Sequence, residues 1–241
     1  MQVPAGMSTK AATLPEILRK KGYGTYAVGK WHLGFCKKKY LPTNRGFDHH
    51  FGFYTGSQDY YNHCTREGYD LRDDLDLVPP IFNDTYSTDL YSKIAGDFIG
   101  ESMRRQKPFF LYMAFQSVHM PHQVPQKYKN QYNHVKNADR RKHLRMIRPM
   151  DAAVAQLYDT ISAFEILNNT IIIFLSDNGG QTKYGASNYP LRGTKGQIFE
   201  GGTRTPAFIW SRDIVPRKEK RMFHITDWFP TLLDAAGVIE K

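Results

Sequence analysis

Thr170-Ile171-Ile172-Ile173-Phe174-Leu175-Ser176-Asp177-Asn178-Gly179-Gly180 is the stretch from which the fold can be read. Residues 171–175 are bulky or β-branched without a break and show no alternation. Such a run matches a strand buried on both faces, as at the parallel centre of an α/β sheet. A buried helix could give the same short run, but the abrupt stop at Ser176 favours a strand emptying into a loop. In open α/β sheets, ligands sit beyond the carboxyl ends of the strands. Asp177 and Asn178 put two hard oxygens there, suited to Ca2+ or Mg2+. The competing reading is a tight hairpin, since Asn-Gly after a hydrophobic run is a strong turn signal. From these residues alone the two readings are balanced.

The flanking sequence repeats the pattern of strand, polar loop and helix. Residues 109–115 form a second apolar run that opens into Gln116-Ser117-Val118-His119-Met120-Pro121-His122. Residues 23–28 form a third, ending at Gly29-Lys30-Trp31-His32-Leu33-Gly34, and residues 207–210 a fourth. Thr13-Leu14-Pro15-Glu16 reads as a capping box that starts a helix running to Lys21, with Gly22 as its stop. Further helices are expected at about 88–105, 139–167 and 227–236. The second carries an apolar stripe at Met150, Val154, Leu157, Ile161 and Phe164, spaced by four and three. Residues 35–85 lack periodicity and read as long loops with short strands, which in a compact domain means functional surface. Helices alternating with strands indicate a layered α/β domain. No repeat or linker divides it, so residues 1–241 are expected to form one catalytic-type domain.

A chain of 241 residues with 41% hydrophobic content can bury a substantial core. Its formal charge of +10 calls for an anionic partner: nucleic acid, an anionic membrane surface, or a sulfated or phosphorylated substrate. The charge is concentrated at Lys37, Lys38 and Lys39, and at Arg140, Arg141, Lys142, Arg145 and Arg148. Such runs are most often solvated faces. Cys36 and Cys64 match no zinc spacing; they could form one bridge or remain free. Asn83 and Asn168 head glycosylation sequons, each weak evidence alone. No stretch approaches the roughly 20 apolar residues of a membrane span, and the first ten residues lack the apolar centre of a signal peptide.

Singly, the polar groups at the strand ends have ordinary explanations. His32 beside Trp31 could be a packed core histidine, His119 could bond a loop carbonyl, and Lys195 could be a surface lysine. Together, Lys30, His32, His119, Lys195 and the Asp177-Asn178 pair make an anion site with proton-transfer capacity.

These residues lie in blocks that resemble the sulfatase family, and within it the arylsulfatase B-like N-acetylgalactosamine sulfatases. The blocks are Gly29-Lys30-Trp31-His32-Leu33-Gly34, Arg45-Gly46-Phe47-Asp48, Gln116-Ser117-Val118-His119, Ser176-Asp177-Asn178-Gly179-Gly180, Arg192-Gly193-Thr194-Lys195 and Glu200-Gly201-Gly202-Thr203-Arg204. His224-Ile225-Thr226-Asp227-Trp228-Phe229-Pro230-Thr231 also fits, and the order is the family's. The resemblance implies an alkaline-phosphatase-like sandwich with a predominantly parallel central sheet flanked by helices. It implies a lysosomal or secreted hydrolase that removes sulfate from sulfated glycans around one Ca2+, with no nucleic-acid partner. On matching positions, Asp177 and Asn178 would be metal ligands. Lys30 and His32 would contact a formylglycine nucleophile made from cysteine. His119 and Lys195 would hold the sulfate, with His119 a proton donor to the leaving alcohol.

Two departures temper that expectation. The family's nucleophile lies in Cys-x-Pro/Ala-x-Arg, which neither Cys36-Lys37-Lys38-Lys39-Tyr40 nor Cys64-Thr65-Arg66-Glu67-Gly68 matches. The family's paired aspartates near the mature N-terminus are also absent. The chain is therefore expected to be the middle of a sulfatase, truncated at both ends and inactive alone. Alternatives are a sulfated-glycan-binding fragment or pseudoenzyme, and a phosphatase or phosphodiesterase of the same fold.

Overall fold

The computed structural model describes residues 4–238. In chain order its elements are α1 (Leu14–Lys20), β1 (Gly24–Lys30), β2 (His49–Phe53), β3 (Cys64–Thr65), β4 (Gly68–Tyr69), β5 (Arg72–Asp73) and β6 (Asp76–Leu77). There follow α2 (Ser87–Arg104), β7 (Phe109–Ala114), α3 (Ala138–Ala163), β8 (Ile172–Leu175), α4 (Glu200–Thr203), β9 (Ala207–Trp210) and α5 (Trp228–Ala235). The chain forms two compact units, one from the stretch up to Pro121 together with the stretch from Lys218, the other from His122–Arg217.

The first unit is built on a sheet of order β6-β5-β2-β1-β7. β1 runs parallel to both β2 and β7, while β5 and β6 join antiparallel at the edge. β1 is buried along almost its whole length, as a central parallel strand must be. α2 covers one face through Leu90, Tyr91, Ala95 and Ile99, and Phe98 stacks on Tyr26 at 4.8 Å. On the other face Ala27, Trp31, Leu41, Phe47 and Tyr54 form a second apolar cluster. The capping box of α1 is present: Thr13 Oγ1 accepts from Glu16 N at 3.3 Å, and Thr13 N donates to Glu16 Oε2 at 2.9 Å. α5 packs on α1 and buries Leu233. Residues 35–85 hold only β2, the four two-residue strands and short 3-10 turns, as expected of a loop-rich surface.

The second unit is organised around α3, capped by Asn137 Oδ1 accepting from Arg140 N at 2.8 Å. Two expectations need correction here. α3 ends at Ala163 rather than Leu167, because Glu165 takes a left-handed backbone (φ 59°) and the chain tightens into a 3-10 turn at Leu167–Asn169. The residues it buries are Met146, Pro149, Ala153 and Ile161, so the covered line lies one position to the side of much of the expected stripe, and Phe164 is exposed. Neither is β8 a strand buried on both faces. It pairs antiparallel with β9 in a two-stranded sheet, and only partial burial follows from having one neighbour. The Asn178-Gly179 hairpin is excluded as well, since residues 176–206 separate the paired strands.

The basic run on α3 is not simply a solvated face. Arg140 Nη1 donates to Gly185 O at 3.1 Å, Arg141 Nη1 to Val135 O at 2.6 Å and Arg145 Nε to Gln131 O at 2.8 Å. Guanidinium groups thereby satisfy carbonyls of irregular chain that no ladder reaches. Cys36 and Cys64 are both free thiols. Asn83 and Asn168 are exposed. No helix among the described residues is long and apolar enough to cross a membrane.

Candidate active site

In the first unit, Lys30 is the last residue of β1 and lies opposite Phe53 at the end of β2. Backbone pairing continues past both strands: Trp31 N donates to Phe53 O at 2.9 Å and His32 N to Tyr54 O at 3.1 Å. Trp31 is buried, and its indole Nε1 donates to Tyr40 O at 3.0 Å, which anchors the loop that follows. His32, by contrast, is exposed, so its neighbour rather than the histidine is the packed core residue. Its backbone takes φ 52°, a left-handed conformation uncommon outside glycine and typical of functional loops. The imidazole lies against Gly56, where a Cβ would come within 2.9 Å of Cε1 and Nε2.

The loop carrying Gly56 is fixed by a residue with no obvious sequence signal. Asp70 is buried, and its Oδ2 accepts from Tyr54 N at 3.1 Å and Thr55 N at 3.0 Å, while Oδ1 faces Arg72 Nε at 3.2 Å. A carboxylate so bonded sets the turn against which His32 rests. Nearby, His50 is almost fully buried and stacks on Tyr54 at 5.6 Å. Desolvation drives its pKa down to about 4, against the raising effect of its bond to Gly29 O and with a further lowering from Arg72.

His119 follows β7 in the same unit. Its N–H donates to Gln116 O at 2.8 Å, and its carbonyl accepts from Tyr60 at 2.8 Å. Its Nδ1 lies 2.9 Å from Met120 O. A carbonyl can only accept, so Nδ1 carries the proton and the neutral ring presents Nε2 as an acceptor. Tyr60 is fully buried, stacks on Tyr86 at 5.0 Å, and its phenol is pushed well above the usual range, mainly by desolvation. Like Asp70, Tyr60 is a supporting residue that sequence reading passed over; its only trace was the aromatic run Tyr60-Tyr61.

In the second unit, the loop after β8 is held from both sides. Ser176 N donates to Pro206 O at 3.2 Å and Gly179 N to Gly202 O at 2.9 Å. A Cβ on Gly179 would lie 1.9 Å from Gly201 O, which is why two glycine pairs meet here. Asn188 clamps Gly180, accepting from its N–H at 2.8 Å and donating to its carbonyl at 2.9 Å. Thr194 Oγ1 and Lys195 N donate to the same carbonyl, at 3.0 Å and 3.3 Å. Asp177 and Asn178 therefore stand on a loop whose Gly180 carbonyl bonds the loop that carries Lys195. Asn178 donates Nδ2 to Gly179 O at 2.9 Å, which orients its amide. Asp177 is exposed, and among the described residues neither its carboxylate nor the Lys195 ammonium has an ion-pair partner.

The same unit holds an imidazole pair, His122 and His143, with rings 6.1 Å apart. Desolvation, then Arg140 and His122, lower the His143 pKa to about 4. Among the described residues no group of three or more His, Cys, Asp or Glu side chains is arranged to hold a metal. The donors at Asp177 and Asn178 suit a hard cation in kind but supply two of the six to eight oxygens that calcium takes, roughly a third of a shell.

The sulfatase family model matches residues 3–238 of the chain. Arylsulfatase J of Mus musculus is 41% identical over 238 residues, covering 95% of this chain and 40% of that protein. N-acetylgalactosamine-6-sulfatase of Homo sapiens is 28% identical over 252 residues, covering 98% of this chain and 47% of that protein. The chain thus spans less than half the length of these curated relatives. Among solved structures, i-CgsB in complex with k-i-k-neocarrahexaose superposes with a TM-score of 0.92 at 29% identity, over 100% of this chain and 56% of that one. A member of the alkaline phosphatase superfamily from Vibrio parahaemolyticus shares the fold alone, with a TM-score of 0.62 at 21% identity, over 98% of this chain and 48% of that one. The mostly parallel sheet with flanking helices is the architecture of these neighbours. With a family model running almost from end to end, the chain belongs to the sulfatase family.

Proposed function

We propose that this chain is part of a sulfuric ester hydrolase that removes sulfate from a sulfated glycan. The observation that carries the reading is the joined pair of loops in the second unit, where the loop bearing Asp177 and Asn178 accepts, at its Gly180 carbonyl, from Thr194 Oγ1 and Lys195 N of the other. Calcium held by Asp177 and Asn178 would neutralise charge on sulfuryl oxygens. Lys195 would hold the sulfate through its ammonium. Lys30 and His32 would contact the nucleophile, a formylglycine that neither Cys36 nor Cys64 can supply from its sequence context. With its ring doubly protonated, His119 would donate from Nε2 to the sulfate and hand that proton to the leaving alcohol.

The relative named N-acetylgalactosamine-6-sulfatase and the i-CgsB complex with k-i-k-neocarrahexaose support a sulfated carbohydrate as the substrate class. The exposed sequons at Asn83 and Asn168 fit a lysosomal or secreted glycoprotein. A second reading rests on the cysteines: without a nucleophile motif, the chain by itself would bind sulfated glycan and not cleave it. Incubating the purified chain with an aryl sulfate and Ca2+, and titrating it calorimetrically with a sulfated sugar, tests both. Binding without sulfate release is the expected result. Release of sulfate would mean that another residue serves as nucleophile, and absence of binding would remove the sulfated-glycan reading.

A further inference from the structure

The loop that carries His119 is bound to the first turn of α2 by side chains that a helix start normally spends on itself. Ser and Thr at a helix N-terminus commonly accept from its free amides, yet α2 has no side-chain cap bond. Ser87 Oγ instead donates to Tyr60 O at 3.0 Å, and Ser87 N donates to the same carbonyl at 2.8 Å. Thr88, 1% exposed, sets its Oγ1 2.7 Å from Ser117 Oγ, 29 residues further along the chain. Ser117 also bonds the phenols of Tyr60 and Tyr86, and Tyr86 bonds Thr88. Gln116 closes the start of the loop by donating Nε2 to Gln58 O.

These hydroxyls donate in one direction. The His119 carbonyl can only accept, so Tyr60 spends its single proton there, across 2.8 Å. The Tyr60 oxygen is then left to accept from Ser117, and the Ser117 oxygen to accept from Thr88. Desolvation pushes the Tyr60 and Tyr86 phenols well above their usual range, so both keep their protons. Hydroxyls donating head to tail polarise one another, and a buried network with its members bonded is rigid. The series ends on the peptide group between His119 and Met120. Met120 O is in turn the acceptor for the imidazole Nδ1 proton, at 2.9 Å.

We propose that Thr88 is a positioning residue for His119, acting through Ser117 and Tyr60 along this series of hydroxyls. The hydroxyl of Thr88 is the part that acts, since its methyl group takes no share in the bonds. The consequence for turnover rests on the sulfatase reading of His119 above; the seating of the ring does not.

Thr88→Val keeps the shape of the side chain and removes the hydroxyl, whereas Thr88→Ser keeps the hydroxyl and removes the methyl. Nitrogen-15 NMR of the 241-residue chain reads which ring nitrogen of His119 carries the proton. The parent and Thr88→Ser are expected to hold it on Nδ1. Thr88→Val should mix the two tautomers and speed exchange of the amides around His119 about tenfold, as for one lost hydrogen bond. Ser117→Ala, at a half-buried position, interrupts the same series one link closer and should give the same mixture, which covers a Thr88→Val chain that fails to fold. A parent-like tautomer in the folded hydroxyl-lacking variants overturns the proposal. So does Thr88→Ser behaving as Thr88→Val, or faster exchange spread evenly over α2 and the sheet. In a full-length protein that contains this chain and turns over, Thr88→Val should lower kcat on a sugar sulfate about tenfold with KM unchanged, and Thr88→Ser should restore it. A displaced tautomer with kcat unchanged keeps Thr88 as the residue that seats the ring and removes His119 from the chemistry.

Discussion

Tyr60 donates its hydroxyl to the carbonyl of His119 across 2.8 Å, tying a fully buried ring to the loop that follows β7. The Tyr60 ring is itself immobilised on Tyr86, so the loop inherits the rigidity of the core. Tyr60→Phe removes one oxygen, keeps the stacking, and leaves the His119 carbonyl without that donor. A stability loss of about 1–2 kcal/mol is expected. Faster amide exchange confined to residues around His119 would locate the effect, and unchanged exchange there would deny Tyr60 a positioning role.

Because Nδ1 of His119 faces the Met120 carbonyl at 2.9 Å, only the doubly protonated ring can donate from Nε2. In a full-length protein that contains this chain and turns over, cleavage of a sugar sulfate should fall as rising pH removes that second proton. Cleavage of an aryl sulfate, whose phenolate leaves without protonation, should hold to higher pH. His119→Ala should therefore cost more on the sugar substrate than on the aryl one. Equal losses on both would leave His119 as a sulfate-binding residue only.

Lys195→Ala in the same protein should lower kcat by about 10²–10³, since a preorganised cation matters most where charge develops. The sulfuryl group is already anionic in the ground state, so a smaller rise in KM should accompany it. A change in KM alone would mean that Lys195 captures substrate without assisting bond breaking.

Calcium should bind the chain weakly, with Kd at about 10⁻⁴ M or poorer, given two hard donors from Asp177 and Asn178. Asp177→Ala should abolish the calorimetric signal and leave the fold intact, because the side chain is exposed. Retained binding in that variant would move the metal to other residues.

Acid should destabilise the protein through its buried histidines. The His50 pKa of about 4 in the fold lies below the unfolded value of 6.5. Between those values the unfolded chain takes up a proton that the folded chain refuses, so stability falls as pH falls through that window and levels off below about 4. His143 and His63, also lowered by burial, act in the same direction. Unfolding free energies from urea titrations at neutral pH and near pH 4.5 should differ less for His50→Phe than for the parent, by up to on the order of 3 kcal/mol. An identical drop in both would assign the acid sensitivity elsewhere.

Much of this protein was legible because its signals are local. The capping box at Thr13 and Glu16 is contained in four residues, and β1, β7 and β9 announce themselves as short apolar runs ending in polar loops. The candidate residues Lys30, His32, His119, Asp177, Asn178 and Lys195 were found because motif spacing is a property of the chain itself. What the chain alone could not reveal depends on partners distant in sequence. β8 reads as a strand buried on both faces, yet how many neighbours a strand has is decided by tertiary pairing, and its one ladder is to β9. The apolar stripe of α3 was placed by periodicity, but which side is covered depends on what packs against it. Arg140, Arg141 and Arg145 read as a solvated charge run until the fold brought stranded carbonyls within their reach. Asp70 gave no local sign of its importance and Tyr60 only its place in an aromatic run, because a supporting hydrogen bond exists only once the chain has brought its two ends together. Sequence determined which chemical groups the loops carry; tertiary structure alone decided which of them are held, through buried bonds that no local pattern encodes.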